Sequence, residues 1–245
     1  MGKIQRLTAD DTFTFSCHKG IPCFTHCCRD LDIVLTPYDI IRLKNRLGLS
    51  SGEFLAQYTT SHIGPNSGLS VVNLKMENNA KRNCPFVTTE GCRVYTDRPG
   101  ACRDYPLGRV AVRRGETEEQ EEFFLLVREP HCLGFNQGRQ WKATEWTKDQ
   151  EIDTYHSMND LLMDIISIKN RSGQHALNKK QQEIFYLACY DLDRFRKFVS
   201  EKSFSEVYGI EPAVIEKVKA DEIAFMQFAL KWLGKQMEIT CEAKG

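Results

Sequence analysis

Four cysteines fall within twelve positions in "CHKGIPCFTHCC", Cys17 to Cys28, and four more follow at Cys84, Cys92, Cys102 and Cys132. Thiolates are soft donors, and four of them match either tetrahedral zinc or the corners of an iron–sulfur cluster. Of the ten cysteines only Cys189 and Cys241 lie beyond Cys132, and these two read as ordinary buried thiols. Ten in 245 residues is too sparse for a secreted disulfide scaffold. Clustered thiols in a reducing compartment bind metal or do redox chemistry.

The spacing narrows the chemistry. Five residues separate Cys17 from Cys23, three separate Cys23 from Cys27, and Cys27 adjoins Cys28. Adjacent side chains diverge in strands and stand about 100° apart on a helix. The pair is therefore expected to serve two different metals, or two irons of one cluster. C-x3-C-x2-C, needed for radical chemistry, is not met, nor is a repeated C-x2-C zinc-finger spacing. In the second group each cysteine has a proline or glycine close by, in "CPF", "GCRVY", "RPGACRDYPLG" and "HCLG". These residues let backbone approach closely and leave the remaining N–H groups free to face sulfur. Eight cysteines allow two four-sulfur sites, or one cluster with ligands of a second. His18, His26 and His131 lie beside cysteines and are secondary candidates as ligands, with water the more usual environment for loop histidines. Arg93, Arg98, Arg103 and Arg109 are candidates to offset thiolate charge, Arg103 first because it adjoins Cys102. Tyr95, Asp97, Asp104 and Tyr105 are expected to be hydrogen-bonding supports rather than acid–base groups.

The elements that must position these residues change character near Thr147. "TPYDIIRLKNRLG" has Thr36 as N-cap, Pro37 at the first helical position and Gly48 as terminator, and Ser50 with Glu53 forms a capping box for the next helix. A short helical hairpin is predicted. "LSVVNLKM", the arms of "CPFVTTEGCRVY", "RVAVRRG" and "EEFFLLVRE" read as strands, the last two joined by the acidic turn "GETEEQ". After Thr147 three helices are predicted, through "KDQEIDTYHSMNDLLMDIISIK", through "KKQQEIFYLACYDLDRFRKFVS", and from Pro212 toward Ile239, with Trp141 and Trp146 at the junction of the halves. The fold class expected is α+β: an irregular cysteine-rich region with short helices and a small antiparallel sheet over residues 1–146, then a helical bundle over 147–245.

The strings "CHKGIPCFTHCCRDLDIVLTPYDIIRLK" and "CPFVTTEGCRVYTDRPGACRDYPLGR" resemble the bacterial YkgJ-type cysteine cluster family, which is associated with chelation of zinc or iron. The likeness covers roughly Cys17 to Cys132. It implies metal binding by Cys23, Cys27, Cys28, Cys84, Cys92 and Cys102, with Cys17 and Cys132 as additions. The departure is the gap between Cys17 and Cys23, wider than the usual C-x2-C. Flagellin lysine methylases are similar in cysteine pattern, which implies a protein-modifying or redox enzyme as an alternative. An interaction module with structural zinc is the other, and metal carriage a third.

Composition sets the remaining limits. Lysine plus arginine equals aspartate plus glutamate at 33 each, so no global field draws the chain to nucleic acid. Its basic residues do not interleave with a stacking aromatic platform. No stretch is apolar enough to span a bilayer, and the opening residues lack a secretory pattern, so a cytoplasmic protein is expected. Phosphate-cradling glycine loops, G-x-S-x-G and H-E-x-x-H are missing. The reading is a metal-binding cysteine-cluster protein, iron–sulfur narrowly ahead of zinc, with a protein substrate or docking partner left open.

Overall fold

The structure, a computed structural model, describes residues 2–113, 120–136, 138–171 and 177–242. Strands β1 (Lys3–Leu7) and β2 (Thr12–Thr14) precede the first cysteine loop, which closes in a 3-10 turn at His26–Cys28. Helices α1 (Pro37–Leu47) and α2 (Ser51–Tyr58) follow. Thr36 Oγ1 accepts from the Asp39 N–H at 3.3 Å, and Asp39 Oδ2 accepts from the Thr36 N–H at 2.8 Å. Ser50 and Glu53 repeat the reciprocal pattern at 3.3 and 2.9 Å. Gly48 ends α1 at φ 68, a left-handed conformation that favours glycine. The predicted hairpin and its caps are therefore present.

Beyond it the chain forms β3 (Thr59–Ile63), β4 (Ser70–Leu74), β5 (Val87–Thr88), β6 (Gly91–Cys92), the short α3 (Gly100–Asp104), β7 (Leu107–Arg113), β8 (Gln120–Arg128), β9 (Gln140–Lys142) and α4 (Ala143–Asp149). Helices α5 (Asp153–Arg171), α6 (Lys179–Cys189), α7 (Leu192–Val199), α8 (Lys202–Tyr208), α9 (Pro212–Lys219) and α10 (Glu222–Glu242) complete it. The fold is α+β, with small antiparallel sheets and a helical C-terminal region. Most of the acidic turn "GETEEQ", together with His175, lies outside the described residues.

Each of the three long helices expected after Thr147 is broken in two, and α8 is additional. An aspartate stands at two of the breaks. Asp191 caps α7 by accepting from the Arg194 N–H at 3.4 Å, and Asp221 accepts from the Ala224 N–H of α10 at 2.7 Å. A carboxylate that satisfies the first N–H groups makes a new helix start more favourable than continuation.

The chain forms two compact units, each of two segments: Met1–Leu31 with Met76–Thr154, and Asp32–Lys75 with Tyr155–Gly245. In the first, β1, β8 and β7 form an antiparallel sheet in that order, with Leu7 opposite Phe124 and Leu107 opposite Leu126. Period two turns Phe124 and Leu126 to one face of β8, where they are buried with Leu7, Phe13, Phe15, Leu107, Trp141, Ala143 and Trp146. Trp141 and Trp146 thus belong to this core. Their rings meet edge-on at 5.2 Å, and Phe15 meets Trp146 at 5.4 Å. Cys132, Tyr105 and Phe135 pack against the same cluster, so the apolar core reaches the cysteine region directly.

The second unit holds the α1–α2 hairpin, the β3–β4 pair and α6–α10, with nearly all of α5. The strand β3 is polar and exposed, which hid it from the alternation test, yet it pairs with β4 along its length. Phe54, Phe185, Phe195, Phe204 and Phe225 are buried here. The Ser51 hydroxyl donates to Asp191 Oδ1 at 2.7 Å, and Asp193 Oδ2 accepts from the Ser51 N–H at 2.7 Å, joining the starts of α2 and α7.

Candidate metal centre

Short, irregular backbone carries the eight candidate cysteines. Cys17 lies in coil just after Ser16, whose N–H donates to the Gly134 carbonyl at 3.0 Å. Cys23 is buried in the following turn, and Cys27 and Cys28 end the 3-10 turn, where the Cys28 N–H donates to the Thr25 carbonyl. The Cys84 N–H donates to the Cys28 carbonyl at 2.8 Å, and Arg29 and Asn83 form a bridge beside it. Cys92 sits in β6, paired with Val87, and Cys102 in α3. Gly91 reaches Cys92 at φ 118, outside the range of other residues, with Phe24 against its face. The Cys132 N–H donates to the Glu129 carbonyl at 3.0 Å.

These segments bring distant thiols together. Cys17 is within electrostatic reach of Cys23, Cys27 and Cys132. Cys28 is within reach of Cys27, Cys84 and Cys102, and Cys92 of Cys84 and Cys27. The sulfurs of the adjacent Cys27 and Cys28 are 4.0 Å apart, and between them the two thiols are within reach of Cys17, Cys84, Cys92 and Cys102. None of these thiols is in a disulfide. As placed, and among the described residues, no three His, Cys, Asp or Glu side chains stand close enough to grip one ion.

The electrostatics show what the donor set needs. The Cys17 residue is exposed overall, but its thiol is crowded by protein; that desolvation and then the neighbouring cysteines push it up to about 11. Burial likewise pushes Cys84 up to about 11, and burial raises Cys92. Within the adjacent pair, the contact between the two sulfurs brings Cys27 down to about 7 and, with burial, holds Cys28 well above the ordinary thiol range. Thiols that resist ionising side by side do so together against a strong positive charge, and a thiophilic metal supplies it. A second sign is the Tyr105 hydroxyl, which is buried without an ordinary hydrogen-bond partner and lies beside Cys132. Burial, then Cys132, pushes its ionisation upward, so it stays a donor, and a metal-bound sulfur at Cys132 is an acceptor for it. The donor chemistry suits a thiophilic metal, while the thiols as placed, among the described residues, do not close around one.

Around the sulfurs, the Leu133 N–H donates to Cys23 Sγ at 3.2 Å. That donor was not legible, because a backbone amide has no residue signature. Arg98, buried, is within reach of Cys92 and Cys102, and with Arg93 it eases ionisation of Cys92. Arg103, the first candidate for that task, donates to the Thr96 and Gln150 carbonyls and so fixes the loop before α3. Arg98 also donates to Gln150 Oε1 and to the Tyr95 carbonyl, making Gln150 a support that the cysteine spacing did not indicate. Arg109 pairs with Glu122 at 2.9 Å. His18, His26 and His131 are exposed, and His18 Nδ1 accepts from the Gly20 N–H at 3.1 Å. Cys189 is buried in the helical unit.

Residues 16–133 match the CxxCxxCC family model, described as "Putative zinc- or iron-chelating domain", a span that includes all eight cysteines. No curated protein and no solved structure matches the chain. Among the described residues no helix is long and apolar enough to cross a membrane.

Proposed function

We propose, from the match of residues 16–133 to the CxxCxxCC model, that the eight clustered thiols supply the ligands of a metal centre, as two four-sulfur sites or as one cluster with ligands of a second. The observation that supports this reading is the Cys27–Cys28 contact of 4.0 Å, together with the reach of these two thiols to cysteines of separate segments. When bound, the metal supplies positive charge that lets the thiols ionise together and, if it is iron, a redox couple. The chain's own residues hold and tune it. Leu133 N–H donates to Cys23, the Tyr105 hydroxyl lies beside Cys132, and Arg98 lies near Cys92 and Cys102.

Iron–sulfur is the first reading, because adjacent cysteines and sulfurs drawn from separate segments suit several metal atoms better than one isolated ion. Zinc is the second, because four thiolates also complete a tetrahedral zinc shell. Elemental analysis with a visible spectrum on anaerobically purified protein decides between them. Brown protein with iron and acid-labile sulfide supports the first. Colourless protein with stoichiometric zinc supports the second, and protein free of both metals overturns the proposal.

A further inference from the structure

Among the described residues the thiols do not close around an ion, yet two of them meet: Cys27 Sγ and Cys28 Sγ are 4.0 Å apart. Both are free thiols, Cys27 exposed and Cys28 half-buried. The backbone that carries them is held at several points. The His26 N–H donates to the Cys23 carbonyl at 2.9 Å, and the Cys28 N–H to the Thr25 carbonyl at 3.0 Å. The Cys28 carbonyl accepts from the Cys84 N–H at 2.8 Å, and Arg29 bridges to Asn83. Just before the turn Thr25 sits at φ 64, left-handed backbone that a β-branched residue adopts only where the surrounding structure imposes it. Side chains on so constrained a turn keep their approach, whereas a free chain samples arrangements in which neighbours diverge.

From this contact we propose that Cys27 and Cys28 are a reversible oxidation site, closed to a vicinal disulfide by a hydroperoxide. No bound metal is needed, so this site and the metal centre proposed above can fail independently. The exposed Cys27 sulfur attacks the distal oxygen of ROOH and the O–O bond breaks. The alcohol ROH leaves with the thiol proton, and Cys27 becomes a sulfenic acid. The Cys28 sulfur then displaces the hydroxyl, which departs as water with the Cys28 proton, and the S–S bond forms. Each sulfur gives up one electron, and the two peroxide oxygens take up both. Adjacent α-carbons stand about 3.8 Å apart, below the roughly 4.4–6.8 Å usual for bridged cysteines, so the bond is strained. A small dithiol therefore reopens it by exchange, leaving as its own disulfide.

The test uses the full chain, reduced with a phosphine and treated with a chelator to free the thiols. Hydrogen peroxide is the probe, and the remaining thiols are blocked with N-ethylmaleimide. Trypsin cuts after Lys19 and Arg29, releasing a peptide that contains Cys23, Cys27 and Cys28. That peptide should lose two hydrogens and take one maleimide, at Cys23, and dithiothreitol before blocking should restore all three. The bridge should form at least about tenfold faster in the folded chain than in the same chain unfolded in urea, because held groups react faster than free ones. Cys28→Ser should stop the bridge and leave Cys27 as a sulfenic acid trapped by dimedone. Cys27→Ser should cut that trapping about tenfold or more, since Cys28 is half-buried. The wild-type peptide map decides even where a variant does not fold. A bridge from Cys27 to Cys17, Cys23 or Cys132 overturns the inference. So do equal rates in folded and unfolded chain, or a sulfinic acid at Cys27 with no bridge.

Discussion

Cys27 and Tyr105 show how single side chains prepare the sulfur set. Contact with the Cys28 sulfur brings Cys27 down to about 7 from an ordinary value of 9.0. A lowered value means folding favours the thiolate. That contribution is full above the ordinary value and is lost as pH falls through about 7. In metal-stripped protein, alkylation by iodoacetamide should therefore rise with a midpoint near pH 7, and Cys27→Ser should abolish that component. Cys17 and Cys84 lie at about 11, so they carry protons at neutral pH and must lose them on loading. Adding zinc in weak buffer should acidify the solution, and metal affinity should fall as pH is lowered. Tyr105→Phe keeps the packing against Phe15 but deletes the donor beside Cys132. Metal content should persist while affinity in chelator competition drops about tenfold or more, the usual scale for a hydrogen bond to a ligand.

The elements position these groups with little slack. A Cβ at Gly134 would lie 2.7 Å from the Phe15 ring and 2.8 Å from the Ser16 carbonyl, between Cys132 and the Cys17 loop. Gly134→Ala should cost about 1–3 kcal/mol in urea denaturation and loosen the backbone beside Cys17 and Cys132, since neither backbone nor a core ring yields cheaply. In the helical unit, Asp191→Ala removes the α7 cap and an acceptor of the Ser51 hydroxyl, for about 1–2 kcal/mol by the same measurement. These cases also show what the sequence could convey. Thr36–Asp39 and Ser50–Glu53 were legible because a cap is written within four residues. The breaks at Asp191 and Asp221 were not, because the apolar period runs on through them and only the aspartates mark a restart. Gly209, at φ 63, was the sign that α8 had ended, but nothing apolar announced its start. The eight candidate cysteines were legible as a set from residue type. Which thiols neighbour which was not, since Cys132 comes within reach of Cys17 across more than a hundred positions with no local code for that neighbour.

For the molecule as a whole, the first unit has a sheet of three strands and a core that runs into the sulfur region, while the second is packed around buried phenylalanines of its own. Stripping the metal should therefore erase the near-ultraviolet signal of Trp141 and Trp146 while most far-ultraviolet helical signal survives, and restoring the metal should return it. Retention of the tryptophan signal after complete removal would show that the core holds that unit without help from the sulfurs.

Each unit draws on two stretches of chain, and the backbone passes from one to the other three times. On the ribosome this sets an order of events. Everything the sulfur unit needs has emerged once Thr154 clears the exit, with the stretch from Asp32 to Lys75 carried along as a passenger. That passenger must wait for the last ninety or so residues before its own core can close. On the metal-centre reading proposed above, the thiols are thus all available before the helical unit can close.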